Sequence, residues 1–329
     1  MNTLIATEQI LREHISINDA LIQAIENGFS ALSAGRVTMP PIMRLDIPEN
    51  NAEVDVKTAY IPETEGFAIK ISPGFFNNHI LGLPSTSGMM VLLSAETGFV
   101  KAVLLDNGYL TDVRTGVAGA IAAKYLARKS TRTIGIIGTG AQARFQLRAL
   151  RHVRDFDQVL VFGRSDARLK QYVDDMYAEL AVDVIRVNSI EEVVRQSDIV
   201  VTTTPSRKPL IQADWLHAGL HITAMGSDAE HKKELDSAVF SKATQIVCDS
   251  KAQCLRLGEL HHAYSAGVLN EATTIFELGE MTSGQQTGRK HDDDITICDL
   301  TGTGMQDTVI ATYAYRQIVN NAEAMTLEL

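Results

Sequence analysis

Thr133-Ile134-Gly135-Ile136-Ile137-Gly138-Thr139-Gly140-Ala141-Gln142-Ala143 runs from an apolar, β-branched segment through a small-residue turn into the start of a helix. The pattern is GxGxxA, and its surroundings carry more weight than its glycines. Gly138 permits the tight turn, Gly140 lets backbone N–H groups approach a pyrophosphate, and Ala143 keeps the helix close to the sheet. The helix N-terminus adds positive potential where phosphate would lie. A glycine-rich turn alone would be unremarkable. With a strand before it, a helix after it and further strands downstream, it points to a nicotinamide dinucleotide, NAD or NADP, touched by Gly138, Thr139, Gly140, Ala141 and Gln142.

Outward from this loop the texture is strand, then helix, repeated. Candidate strands cover 133–137, 159–162, 183–187, 199–203, 221–225, 246–248 and 295–300. Continuous apolar strands joined by helical crossovers imply an α/β fold, a Rossmann doubly wound parallel sheet covered on both faces. Upstream the pattern differs. Helical spacing over 17–34, with Asn18 or Asp19 as cap, predicts a helix that opens the protein. Short β-rich runs at 67–71 and 89–93, broken by Pro and Gly, predict an irregular sheet. An Ala-rich helix over 113–126 leads to a polar boundary at 127–132, and a closing helix over 302–321 is placed to pack back on the first domain. The second domain is therefore of α+β type.

Composition is that of an ordinary globular chain: 329 residues, 45% hydrophobic and 21% charged. A formal net charge of -10 argues against a nucleic-acid or anionic-membrane surface, both of which need a basic footprint. Cys248, Cys254 and Cys298 form no disulfide framework and no metal spacing, so a reducing compartment and no metal are expected. His261-His262 and His291-Asp292-Asp293-Asp294 read as charged surface loop. No basic segment followed by an apolar core begins the chain, and no apolar run reaches spanning length, so the cytoplasm is the expected location.

A dinucleotide unit of this type usually carries an acid at the end of its next strand to hold the ribose hydroxyls. Here that strand ends Val161-Phe162-Gly163-Arg164-Ser165, without the acid. Arg164 and Ser165 either meet a 2′-phosphate or simply stack and face solvent. Thr202, Thr203 and Thr204 end a later strand at the ligand-binding edge, as do Met225, Gly226, Ser227 and Asp228. The Asp228 carboxylate reads either as an acid-base group beside the nicotinamide or as the N-cap of a helix running through Leu235. Arg44, Lys70 and Arg114 are isolated cations in apolar or small surroundings. Singly each reads as a paired or snorkelling charge, and together they would make a carboxylate clamp.

Arg44, Lys70, Leu110-Thr111-Asp112-Val113-Arg114-Thr115-Gly116, Ala122-Ala123-Lys124-Tyr125-Leu126-Ala127, Gly138 to Ala143 and Gly226-Ser227-Asp228 resemble, in this order, the ornithine cyclodeaminase and mu-crystallin family. The resemblance implies a substrate-binding and dimerisation domain from 1–126 and 304–329, with a dinucleotide domain over 127–303, in a homodimer. It implies that Arg44, Lys70 and Arg114 bind a substrate carboxylate and that Asp228 serves as the acid-base group, with Lys70 also catalytic. It further implies that Gly302 and Thr303 approach the nicotinamide and that Ser85 or Thr86 lies on the substrate side.

Cyclodeaminases of this family typically carry a Cys-Pro-Gly-Lys-Thr-Glu-like run after the catalytic acid, whereas this chain has Ala229-Glu230-His231-Lys232-Lys233-Glu234. That run resembles the branch associated with ectoine utilisation and iminosuccinate reduction. The expected activity is NAD(P)H-dependent reduction of an imine to an α-amino acid, with small amino or imino acids as substrates. The alternatives are ornithine cyclodeaminase activity and a non-catalytic binder that keeps the cofactor. His231 is either a second proton donor or side-chain selector, or a solvated residue on a first helical turn.

Overall fold

The computed structural model describes residues 2–321 and 323–328. Its first part comprises β1 (Asn2–Thr7), α1 (Glu8–His14), α2 (Asp19–Ser33), β2 (Met43–Ile47), β3 (Ala52–Ala59), β4 (Gly66–Phe75), β5 (Met89–Ser94), β6 (Val100–Leu105) and α3 (Tyr109–Leu126). There follow β7 (Thr133–Ile137), α4 (Ala141–Leu150), β8 (Gln158–Phe162), α5 (Asp166–Leu180), β9 (Asp183–Arg186), α6 (Ile190–Gln196), β10 (Ile199–Thr202) and β11 (His221–Ala224). The chain ends with β12 (Gln245–Cys248), α7 (Lys251–Leu257), α8 (Glu259–Ser265), β13 (Phe276–Glu277), α9 (Leu278–Thr282), β14 (Thr296–Asp299), α10 (Gly304–Ile318) and β15 (Met325–Glu328).

Two compact units result, one from 1–114 and 303–329, the other from 115–302. The first division falls inside α3, whereas the sequence reading places it at the end of that helix. A strand, β1, and a short helix precede α2, so the chain does not open on the 17–34 helix. The strand is fixed from outside its own segment, by β6 and β15.

In the first unit the sheet order is β15-β1-β6-β5-β4-β3-β2. Its register aligns Lys57, Lys70, Met90, Leu104 and Ala6 across five strands. All five are buried, and α10 packs on β3, β4 and β5 with α2 behind it. Thr308 ties α10 to the sheet, accepting from Ala68 N at 3.0 Å and donating to Ala59 O at 2.7 Å. The opposite face carries Ile69, Val91, Val103 and Ile5 in register, each only half-buried.

In the second unit eight parallel strands take the order β13-β12-β14-β11-β10-β7-β8-β9. Alternate residues serve opposite faces, as a two-residue period requires. Val159, Val161, Ile199 and Val201 join one core with Ala143, Leu147 and Tyr172. Leu160, Val200, Ile222 and Ile297 join the other with Val193, Val194 and Leu260. The strand order reverses at β7, so the ends of β7 and β10 border the crevice in which such sheets take ligands. The short edge strand β13 has too few residues to show periodicity.

Candidate active site

The turn after β7 needs its first glycine. Gly138 has φ 115°, in the region closed to most side chains, and a Cβ there would lie 2.6 Å from Thr203 Oγ1. Gly140 caps α4 in extended conformation, and a Cβ on it would meet no protein atom within 4 Å. Ala143 is fully buried, and Tyr172 OH donates to its carbonyl at 3.0 Å. Arg144 Nη1 donates to Thr139 O at 3.0 Å. Ala141 is exposed and Gln142 partly buried at the start of α4. At the end of β8, Arg164 and Ser165 are exposed, and Ser165 caps α5.

The neighbouring strand ends are joined by a buried acid that sequence reading did not single out. Glu234 accepts from Thr202 Oγ1 at 2.6 Å, Thr204 N at 2.6 Å, Thr204 Oγ1 at 2.7 Å and Gly226 N at 2.8 Å. One carboxylate thereby staples the end of β10 to the end of β11. Burial raises its pKa, and the four donors work against that rise. Gly226 is required by closeness, since a Cβ would sit 2.2 Å from Thr204 O. Met225, buried, continues β11 by donating from N to Thr202 O at 3.1 Å. Thr203 Oγ1 lies 3.3 Å from Ile137 O.

Asp228 follows on this loop, and residues 229–236 after it form turns and extended chain, not a helix. Ser227 Oγ donates to Lys232 O at 2.6 Å, while Glu259 takes the N–H groups of Glu234 and Leu235 at 2.6 and 3.1 Å. Those bonds replace the helical ladder, so the N-cap reading of Asp228 and the helical-turn reading of His231 are both corrected. Lys232 Nζ reaches Asp228 Oδ1 at 2.6 Å. His231 is exposed. His262 sits on α8 rather than on a surface loop, with Nε2 2.7 Å from Lys232 O.

A second buried acid holds the turn after β14. Asp249 accepts from Thr301 N at 2.9 Å and Gly302 N at 2.7 Å. Gly302 has φ 76°, and Thr303 begins α10 with its N–H donated to Gln306 Oε1 at 2.8 Å.

In the first unit the three predicted cations part company. Lys70 and Arg114, 2% and 3% exposed, converge on Asp307: Lys70 Nζ lies 3.3 Å and Arg114 Nε 3.0 Å from the same oxygen, Oδ1. Burial, together with the Arg114 charge, lowers the Lys70 pKa to about 7, against the pull of Asp307. Burial would raise Asp307, but Arg114 and Lys70 outweigh it and hold the carboxyl below its ordinary range. Arg44 instead lies on the edge strand β2, paired with Asp46 at 2.9 Å and with Glu53. Ser85 and Thr86 precede β5, Thr86 exposed and bridged to Gly74. The sequence signal for Asp307 was a carboxylate on the stripe of α10 that also holds Ala311, Ala314 and Ile318, all buried.

The sequence profile of the ornithine cyclodeaminase/mu-crystallin family matches residues 1–322. The chain is 51% identical over 314 residues to an uncharacterized cyclodeaminase of Sinorhizobium fredii, with 95% of each chain covered. An archaeal alanine dehydrogenase dimer with bound NAD superposes with TM-score 0.92 at 36% identity, covering all of both chains. The iminosuccinate reductase of Paracoccus denitrificans in complex with NAD+ superposes with TM-score 0.91 at 30% identity, again over 100% of each chain. A chain matched over its length by this profile and these folds belongs to the ornithine cyclodeaminase/mu-crystallin family.

Proposed function

We propose that this protein reduces an α-imino carboxylate to the α-amino acid with NADH or NADPH. The observation that carries the reading is the turn after β7. Gly138 can hold its φ only without a side chain, and at Gly140 a side chain would obstruct nothing of the protein itself. That suits a backbone cradle for a dinucleotide pyrophosphate at the start of α4. The alanine dehydrogenase and iminosuccinate reductase relatives, whose structures hold NAD, support it. Thr139, Ala141, Gln142, Thr202 to Thr204, Met225 to Ser227, Gly302 and Thr303 would line the cofactor. Exposed Arg164 and Ser165, with no acid at the end of β8, leave room for a 2′-phosphate.

Lys70 and Arg114 would bind the substrate carboxylate, and Ser85 or Thr86 would meet its side chain. Fixing the carboxylate positions the imine carbon, and positioning supplies much of the acceleration. The reduced nicotinamide supplies the hydride when bound. Asp228, held by Lys232, would stabilise the protonated imine, which accepts hydride more readily than the neutral form; hydride addition then yields the neutral amine, which takes a further proton from solvent.

The test offers NADH or NADPH with pyruvate, glyoxylate or oxaloacetate plus ammonium, and follows loss of reduced-cofactor absorbance. Oxidation of the cofactor that depends on both ammonium and keto acid is expected. Asp228→Ala should lose about 10²-fold or more in turnover with cofactor affinity nearly unchanged; full activity in that variant would remove Asp228 from the chemistry. A second reading, cyclodeaminase activity, is favoured by the name of the 51% identical relative. It calls for proline from ornithine with no net change in cofactor. The run 229–234, which lacks the Cys-Pro-Gly start, favours the reductase.

A further inference from the structure

Asp307 satisfies two cations with a single atom. Lys70 Nζ and Arg114 Nε both approach Oδ1, while Oδ2 is buried with no hydrogen-bond partner among the described residues. A structural ion pair gains most when each carboxylate oxygen is matched, because unmatched buried polar atoms carry a desolvation cost. Here one acid is shared between two cations, and the trio keeps a positive excess. The three come from different elements: Lys70 from β4, Arg114 from α3 and Asp307 from α10. Their meeting is a product of the fold, not of local sequence.

We propose that Asp307 is the positioning residue of an anion-binding pair, setting Lys70 and Arg114 side by side so that together they receive the carboxylate of the imino acid. The inference rests on the reading of Lys70 and Arg114 as carboxylate ligands. Arg114 commits Nε to Asp307, which leaves its Nη1–Nη2 edge as the fork for a bidentate carboxylate. Lys70, buried beside Met90 in the sheet row, needs a neighbouring anion to stay charged. The charged groups that act on it are Arg114 and Lys57, which oppose its charge, and Asp307, which favours it. Asp106, buried just after β6, is also within electrostatic reach of Lys70. Asp307 is the one of these in contact with the ammonium, at 3.3 Å.

The protein labelled with lysine ε-13C tests this directly, with the Lys70 signal assigned by its loss in Lys70→Arg. In the wild type that signal should titrate near the value of about 7 that burial gives it. In Asp307→Asn the midpoint should fall by about 1 to 3 units, since a contacting opposite charge has been removed. Asp307→Glu should restore much of the difference. Each unit of fall lowers the charged fraction about tenfold above both midpoints. KM for the imino acid should therefore rise by that factor at pH 8, with kcat less affected and the gap closing toward pH 5.5. A Lys70 midpoint unmoved in Asp307→Asn overturns the proposal, as does a moved midpoint with an unchanged KM profile. Should that variant fail to fold, Lys70→Met tests the contact from the other side. The Asp307 carboxyl signal should then titrate at higher pH than in the wild type, and no change overturns the pairing. If the wild type reduces no imine while the Lys70 midpoint still shifts in Asp307→Asn, the enzymatic reading fails and the positioning of Lys70 by Asp307 stands.

Discussion

Asp299 ends β14 fully buried, with Leu260 N donating to Oδ2 at 3.0 Å. Burial, reinforced by the charge of Asp249, pushes its pKa from 3.8 up to about 7. Between those values the folded chain keeps a proton that the unfolded chain has released. Its contribution to stability is therefore complete at low pH and is lost as pH rises from about 4 to about 7. His221 runs the other way. Burial and nearby Arg289 depress it from 6.5 to about 3, so its contribution is present above pH 6.5 and is lost as pH falls toward 3. The two oppose each other across the acidic range. Asp299→Asn keeps the Leu260 bond and removes the falling component. The variant should gain stability on the wild type as pH rises from 4 to 7, by up to about 4 kcal/mol at pH 8. Thermal unfolding in a pH series checks this, and parallel curves for the two proteins would refute it.

At the scale of elements, α2 depends on the cap that precedes it. Asn18 Oδ1 accepts from Leu21 N at 2.9 Å, and Asn18 Nδ2 lies 3.1 Å from Tyr313 OH on α10. Asn18→Ala removes both the cap and the link between helices, and should cost about 1–2 kcal/mol. In urea the midpoint should fall with the slope unchanged; an unchanged midpoint would mean that the cap contributes nothing. The cap was legible because capping is a local transaction between a side chain and the N–H three residues on. The loop 226–236 was not. The N–H groups of Glu234 and Leu235 go to Glu259, and the Glu234 carboxylate takes bonds from Thr202 and Thr204 at the end of β10, partners 24 to 32 positions away in the chain. Charged helix-forming residues there suggested a helix that tertiary bonds prevent.

At the scale of the molecule, the half-buried face of the first sheet is unlike its partner face. Ile69, Val91, Val103 and Ile5 run across it in register, with Met89 37% and Leu105 40% exposed near them. Neither α2 nor α10 covers this face, and an apolar sheet face left open is the kind of surface on which proteins associate. Val91→Asp places a carboxylate in the apolar centre, so association through this face should weaken and the variant should sediment as a smaller species than the wild type; a variant that still sediments as the wild type does would rule this face out as an interface.

The sequence by itself determined what depends on short-range chemistry. The phosphate turn, with a glycine at positive φ, lies within a few residues of its strand and helix. The parallel sheet was legible because strands buried on both faces must be apolar along their whole length. Asp228 was placed at the sheet edge by the strand that precedes it. Only the tertiary structure decided which charges meet. Arg114 and Asp307 are 193 positions apart, and no periodicity links them. Arg44, grouped with Lys70 and Arg114 by its apolar setting, pairs instead with acids on its own sheet edge. The physical reason is that a buried ion's partner is chosen by what the fold brings within about 4 Å, where low polarity makes the interaction strong, whereas a turn or a cap is chosen by bonds its own neighbours supply.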